Sequence, residues 1–176
     1  AAVGSSAWSL TGLNITNSGF LQVKVSDVAG NDGDVLRHAY TYDTNASNTT
    51  VTSISFEDDS GVSPTDLITN IAAQVVRGAL SAPLEAGEKV QISMDGGLHW
   101  QTASAEVGTS AWSLSGVTLS GQGTVVAKVT DAAGNDGRPY SRPYALDTVA
   151  PSSAITSMAL EYDSACLLYT SDAADE

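Results

Sequence analysis

Residues 125–137 read Val-Val-Ala-Lys-Val-Thr-Asp-Ala-Ala-Gly-Asn-Asp-Gly, and this stretch decides the fold of the chain. In its first half, Val125, Ala127 and Val129 lie on one face, and this period of two is typical of a half-buried β-strand. In its second half, glycine, asparagine and aspartate favour a tight turn. The same unit occurs earlier, at residues 21–33, as Leu-Gln-Val-Lys-Val-Ser-Asp-Val-Ala-Gly-Asn-Asp-Gly. A strand that ends in an acidic, glycine-rich loop and occurs twice indicates a repeat.

The repeat has an offset of 104 residues. Residues 3–10, Val-Gly-Ser-Ser-Ala-Trp-Ser-Leu, match residues 107–114, Val-Gly-Thr-Ser-Ala-Trp-Ser-Leu, and 107 − 3 = 104. The match continues without a gap until Ser60 falls on Ser164. A period of about 100 residues is too long for a solenoid unit and fits an independent sandwich domain.

The repeat divides the chain into four parts. We interpret residues 1–46 as the C-terminal part of a preceding module, residues 47–150 as a complete module and residues 151–164 as the first strand of a third. Residues 165–176 no longer match the repeat. They resemble translated adapter sequence, and we interpret them as a non-native tail, a sequence artefact.

Short apolar segments with alternating polarity predict the strands. In the complete module they lie near residues 52–57, 73–80, 89–94, 99–105, 111–114, 124–130 and 139–146. In residues 1–46 they lie near residues 7–10, 21–25 and 37–43. Pro139 and Pro143 confine the last strand to a sheet edge or to its irregular end. Helical periodicity is absent, except for one possible turn near residues 65–71. Seven short strands separated by turns predict an all-β fold, an immunoglobulin-like (Ig-like) β-sandwich in tandem modules.

The composition excludes several classes of partner. The chain has 20 Asp and Glu against 7 Lys and Arg, a net charge of −13, which argues against nucleic acid or an anionic membrane as a partner. The apolar runs fall short of the ~20 residues that a membrane span needs, so we expect no membrane insertion. The one cysteine, Cys166, lies outside the repeats, so disulfide bonds do not cross-link this fold. Ala1 begins inside a module, so we expect any secretion signal to lie elsewhere.

Five motifs give the chain a family resemblance. They are Asp-Asp-Ser-Gly at 58–61, Thr-Asp-Leu-Ile-Thr-Asn at 65–70, Asp-Gly-Gly at 95–97 followed by Trp100, Asp-Ala-Ala-Gly-Asn at 131–135, and Leu-Asp-Thr-Val-Ala-Pro at 146–151. Together they resemble the tandem bacterial Ig-like repeats of giant secreted adhesins and biofilm-associated surface proteins. The resemblance covers residues 1–164 and implies an extracellular stalk at a Gram-negative cell surface, with calcium between modules. The implied partners are neighbouring Ig-like modules of the same chain, whereas any host-surface or biofilm-matrix ligand would bind elsewhere in the full protein.

The acidic loops are the candidate metal ligands. In an Ig-type sandwich, the loop after the first strand lies at the pole where the chain leaves, and the loop between the last two strands lies at the opposite, N-terminal pole. We therefore expect Asp58, Asp59 and Asp66 near Asp147, and Asp131, Asn135 and Asp136 near Asp43. Hard oxygen ligands that converge in this way suit calcium. The alternative is that these residues are simply good turn formers.

One further motif is a weaker indication of catalytic or binding function than the acidic loops. Residues 93–100, Ser-Met-Asp-Gly-Gly-Leu-His-Trp, fit the Asp-box pattern of sialidase-like propellers. Because the pattern occurs once per module rather than once per blade of about 40–50 residues, a hairpin with a buried Trp is the favoured interpretation. His38 and His99 have no second histidine or cysteine at ligand spacing, and there is no Gly-x-Ser-x-Gly elbow. We therefore expect that the protein is not an enzyme.

These patterns together predict a structural role. The leading hypothesis is a stalk or spacer module of a large bacterial surface adhesin, stiffened by inter-module calcium and supporting cell adhesion or biofilm formation. One alternative is a carbohydrate- or protein-binding Ig-like module that uses exposed aromatic residues. Another is an accessory domain of a glycoside hydrolase, which only the Asp-box pattern suggests. The repeated tryptophan also predicts a core in which Trp112 is buried with Val90, Ile92, Val125 and Val129.

Overall fold

The computed structural model describes residues 4–158, which form eleven β-strands and no helix. The strands are β1 (Gly19–Val23), β2 (Leu36–Tyr40), β3 (Val51–Phe56), β4 (Ile68–Thr69), β5 (Ala73–Leu80), β6 (Lys89–Ser93), β7 (Gln101–Thr102), β8 (Ser104–Ala105), β9 (Ala111–Thr118), β10 (Gln122–Thr130) and β11 (Tyr140–Leu146). The described part of the chain has no helix of the length and hydropathy that a membrane crossing requires.

Strands β3 to β11 form two sheets. One has the order β4-β11-β10-β6-β7 and the other the order β3-β5-β9-β8. The paired strands are antiparallel except for β4 and β11, which run parallel. Apolar residues from both sheets are buried between them in one core. The predicted all-β, Ig-like sandwich is therefore confirmed.

The core is organised around Trp112, which is 3% exposed. The four residues predicted to share its environment are all buried: Val90, Ile92, Val125 and Val129. Trp112 lies opposite Gly78 in the β5–β9 pair. A Cβ atom at Gly78 would lie 2.2 Å from the Trp112 ring and 2.1 Å from the carbonyl oxygen of Ser53. Glycine is therefore required at this position, because the ring occupies the space of a side chain.

Two parts of the module differ from the sequence-based prediction. The single strand expected over residues 99–105 is two short strands, since β7 pairs with β6 and β8 pairs with β9. The chain therefore changes sheets at Ala103, which is buried. The possible helical turn near residues 65–71 is instead strand β4. It follows Leu67, which has a φ of +65° and a fully buried side chain, so core packing holds this residue in a backbone conformation that leucine rarely adopts.

Residues 4–46 form only a two-stranded sheet, in which β1 pairs with β2. The strand expected at residues 7–10 is not formed. Trp8, the repeat equivalent of Trp112, is 54% exposed. Trp8 and Leu10 line an open groove of about 720 Å³ with Val23 and Val25 of the β1 region. By the repeat offset of 104, this groove is equivalent to the interior of the sandwich formed by β3 to β11, and within residues 4–46 no second sheet covers it.

The third predicted module lies mostly outside the described residues. Residues 151–158 contain no strand, and the rest of the predicted strand at 151–164 falls beyond residue 158. The proposed non-native tail at 165–176 also lies outside the described residues.

The repeat offers a matched test of the core. Trp112→Ala should lower the free energy of unfolding by about 3–5 kcal/mol, because the change leaves a large cavity between the sheets. Trp8→Ala changes the same residue type in the same sequence context, but at an exposed position. It should stay within about 0.5 kcal/mol of the parent chain in urea unfolding followed by fluorescence and circular dichroism. Equal effects of the two substitutions would contradict the assignment of the core.

Candidate functional site at the module junction

The loop after β10, residues 131–137, is here called the junction loop. Its geometry is set by the carboxylate of Asp131. Oδ1 accepts the backbone N–H groups of Ala133 at 2.9 Å and Asn135 at 2.8 Å, and Oδ2 accepts the Asn135 side-chain amide at 2.9 Å. Gly134 has a φ of +93°, which lets the chain turn back on itself at that point. The loop is therefore wound around one acidic side chain.

The equivalent loop at residues 27–33 has the same hydrogen bonds. Asp27 Oδ1 accepts the backbone N–H groups of Ala29 and Asn31 at 2.9 and 2.8 Å, and Oδ2 accepts the Asn31 amide at 2.8 Å. This loop belongs to the two-stranded segment and has no sandwich behind it. The loop conformation is thus a local property of the Asp-x-Ala-Gly-Asn sequence.

A second aspartate anchors the junction loop to the sheet. Asp136 accepts a hydrogen bond from Thr130 at 2.8 Å and pairs with Lys128 at 2.5 Å. Lys128 holds the pKa of the Asp136 carboxyl below its ordinary value, with a further contribution from the Thr130 hydroxyl. The Asn135 amide is the main cause that lowers the pKa of Asp131. Both carboxyls therefore carry their negative charge at neutral pH.

Asn135 also connects the loop to the segment that enters the module, residues 43–50, here called the linker. Its side-chain amide donates to the backbone carbonyl oxygens of Asp43 at 3.1 Å and Asn45 at 3.3 Å. The linker is bent toward it, because the Asn45 N–H group donates to Asp43 Oδ1 at 2.9 Å. The contact joins residues 92 and 90 positions apart in the chain. It ties the start of the module to the loop between its last two strands.

An acidic cleft of about 280 Å³ lies beside this contact, and its lining includes Asp43, Asp131, Glu85 and Glu88. The sequence predicted that Asp131, Asn135 and Asp136 would lie near Asp43. The structure brings Asp131 and Asn135 to Asp43, whereas the carboxylate of Asp136 binds Thr130 and Lys128 and does not line the cleft.

The sequence did not predict the two glutamates of the cleft. They line the cleft because the β5–β6 loop packs directly on the junction loop. The approach is so close that a Cβ atom at Gly87 would lie 2.7 Å from the Ala132 Cβ. The two loops are far apart in the sequence, and no local sequence pattern predicts that they pack together.

The opposite, C-terminal pole holds the other predicted aspartates. Asp59 Oδ2 accepts the Leu67 N–H group at 3.0 Å, while Asp59 Oδ1 is buried and has no hydrogen-bond partner among the described residues. Asp147 is joined to the same region, since its N–H group donates to the Thr69 carbonyl at 2.9 Å.

The other two aspartates of this pole make local contacts. Asp66 Oδ1 accepts the Ile68 N–H group at 3.0 Å, and the backbone N–H of Asp58 donates to Gln74 Oε1 at 3.2 Å.

Within residues 4–158, no three side chains of His, Cys, Asp or Glu lie close enough together to hold one metal ion. The carboxylates of Asp43, Asp59, Asp66, Asp131, Asp136 and Asp147 each accept a protein hydrogen bond. In the described residues they act as turn acceptors and do not form a ready calcium centre. Calcium between modules stays a prediction.

The Asp-box segment forms a compact turn. Asp95 Oδ1 accepts the Leu98 and His99 N–H groups, and the Trp100 ring N–H donates to the Gly97 carbonyl at 2.9 Å. Lys128 lies 4.1 Å from the centre of the Trp100 ring and covers it. The Ser93 hydroxyl is the main cause that lowers the pKa of Asp95. The serine, the aspartate and the tryptophan of the motif therefore each interact with another residue of the turn or with Lys128.

Residues 45–148 match the family described as Bacterial Ig-like domain. The chain belongs to this family. The match covers most of the Ig-like module predicted at residues 47–150, and it includes the junction loop. Bacterial Ig-like domains are commonly found in surface and secreted proteins. No curated protein matches the chain.

Proposed function

We propose that this chain is part of the stalk of a large bacterial surface adhesin, in which Ig-like modules follow one another as spacers. The observation that carries this proposal is the hydrogen bonding of Asn135 to the linker carbonyls of Asp43 and Asn45. A module that holds the linker preceding it limits the bending between neighbours. Limited bending is the property that a spacer needs.

The rest of the linker supports the same conclusion. Thr50 and Ser81 exchange hydrogen bonds, from the Ser81 N–H group to the Thr50 carbonyl at 2.8 Å and from the Thr50 N–H group to the Ser81 hydroxyl at 3.0 Å. Between this pair and Asn45, Thr49 is buried. The linker is therefore attached to the module at several points along its length. A polar segment without such contacts would behave as a flexible coil.

The remaining parts of the proposal follow from this mechanical role. The protein would be extracellular and secreted, would have no catalytic activity of its own, and would support cell adhesion or biofilm formation by holding a distant binding region away from the cell. Its partners would be the neighbouring Ig-like modules of the same chain. Any host-surface or biofilm-matrix ligand would bind another part of the protein.

In this proposal, calcium acts by screening the negative charges that line the acidic cleft. Asp43, Glu85, Glu88 and Asp131 all line the cleft, and their like charges repel one another. A divalent cation in the cleft weakens that repulsion without needing a preformed set of ligands. The proposal therefore does not require a dedicated calcium centre for stiffening.

The stalk function is tested by particle length. Tandem proteins with residues 1–46 followed by one, two or three copies of residues 47–150 should be measured by small-angle X-ray scattering. Held junctions predict a radius of gyration that rises by a nearly constant increment with each copy. Flexible junctions instead give growth close to the square root of the number of copies, and that result would contradict a spacer role.

The screening role is tested by comparing two cations. Calcium and magnesium at equal ionic strength should raise the melting temperature of the chain by similar amounts, because screening depends on charge. Asp43→Asn should reduce both increases, since it lowers the charge of the cleft while its side-chain oxygen can still accept the Asn45 N–H group. A response that is specific to calcium would overturn screening and favour coordinated calcium.

A further inference from the structure

We infer that residues 147–149 form a docking segment for the junction loop of a following Ig-like module. The asparagine of that loop, equivalent to Asn135, would donate to the backbone carbonyls of Asp147 and Val149. The inference rests on the proposed tandem stalk and names the contact by which one module holds the next. The partner is a second copy of this module, recognised through its asparagine amide.

The first support is that the two linkers have the same bend. Asp147 and Val149 are the repeat equivalents of Asp43 and Asn45, since 147 − 43 = 104 and 149 − 45 = 104. The Val149 N–H group donates to Asp147 Oδ1 at 2.9 Å, as the Asn45 N–H group donates to Asp43 Oδ1 at 2.9 Å. The segment that leaves the module is therefore shaped like the segment that Asn135 already holds.

The second support is that the recognising loop forms before it docks. The loop around Asp27 places the Asn31 amide as the loop around Asp131 places the Asn135 amide. It does so although its own module is only partly present in the chain. A following module would thus present its asparagine without rearrangement, which lowers the ordering cost of the contact.

The third support is the chemistry of the contact. Asn135 has two amide N–H bonds, of which one binds Asp131 and the other is shared between two backbone carbonyls of the linker. Because backbone oxygens are recognised, the contact tolerates Val149 where the other linker has Asn45. Val149 is 81% exposed, so the segment is accessible to a neighbour.

The test uses a tandem protein in which residues 1–150 are followed by a second copy of residues 47–150. This junction preserves the repeat register, because residue 151 is equivalent to residue 47. Residual dipolar couplings of the two complete modules are measured by NMR in the presence of a chelator. A docked junction predicts one shared alignment tensor for both modules without calcium.

The decisive variant changes the asparagine of the second copy, equivalent to Asn135, to alanine. The couplings of the two modules should then no longer fit one shared alignment tensor, because the modules would reorient separately. The matched control is Asn31→Ala, which removes the same bond within a loop that makes no hydrogen bond to a linker among the described residues. The control should leave the shared tensor unchanged.

A second pair of variants addresses the docking segment itself. Asp147→Ala removes the acceptor that bends the linker, whereas Asp147→Asn removes the charge and retains a side-chain oxygen. Docking through the carbonyls predicts that Asp147→Ala separates the tensors and that Asp147→Asn does not. Equal loss in both variants would show that charge matters, and it would overturn the inference.

The outcomes separate this inference from the stalk proposal. If the two modules of the parent tandem protein have different alignment magnitudes, both the docking contact and the rigid stalk are wrong. If they share one tensor that survives replacement of the second-copy asparagine, the rigid stalk stands and the asparagine contact is wrong. Only loss on replacement of that asparagine, with the Asn31→Ala control intact, supports docking.

Discussion

The junction depends on the hydrogen bonds that the carboxylate of Asp131 accepts from Ala133 and Asn135. These bonds wind the loop and point the Asn135 amide at the linker. Removing them would free the asparagine to rotate, and a rotating amide cannot hold two carbonyl oxygens. The same carboxylate arrangement at Asp27, outside any complete sandwich, indicates that the loop is encoded locally. The module therefore contains the loop that attaches it to the preceding linker, here called its connector.

The sandwich gives this connector a fixed position. Strands β10 and β11 flank the junction loop and pair from Gln122 to Ala127 of β10, and β10 pairs with β6 from Val126 to Thr130, up to the start of the loop. Behind them, Trp112 packs against Gly78 and closes the core. A loop that is rigid by itself transmits orientation only if the strands that support it are rigid too. Core packing and loop geometry thus contribute to one mechanical property, the fixed direction of the chain between modules.

The fold was largely predictable because its signals are local. Alternation in β6 and β10, seven short segments separated by turns, and the repeated tryptophan predicted a sandwich with Trp112 in its core. The sheet change at Ala103 and the short strand β4 were missed, since both depend on which distant strand offers a partner. At the junction, the pole shared by Asp43 and Asn135 followed from topology. The approach of Glu85 and Glu88 did not, because it depends on the packing of Gly87 against Ala132.

Side-chain amide exchange shows whether Asn135 holds the linker. In this chain, Asn135 and Asn31 have the same contacts within their loops, but only Asn135 has described hydrogen bonds to linker carbonyls. The two amides can be compared in one sample by NMR hydrogen exchange. If Asn135 holds the linker, its side-chain amide exchanges more slowly than the Asn31 amide. Equal exchange rates would show that Asn135 does not hold the linker.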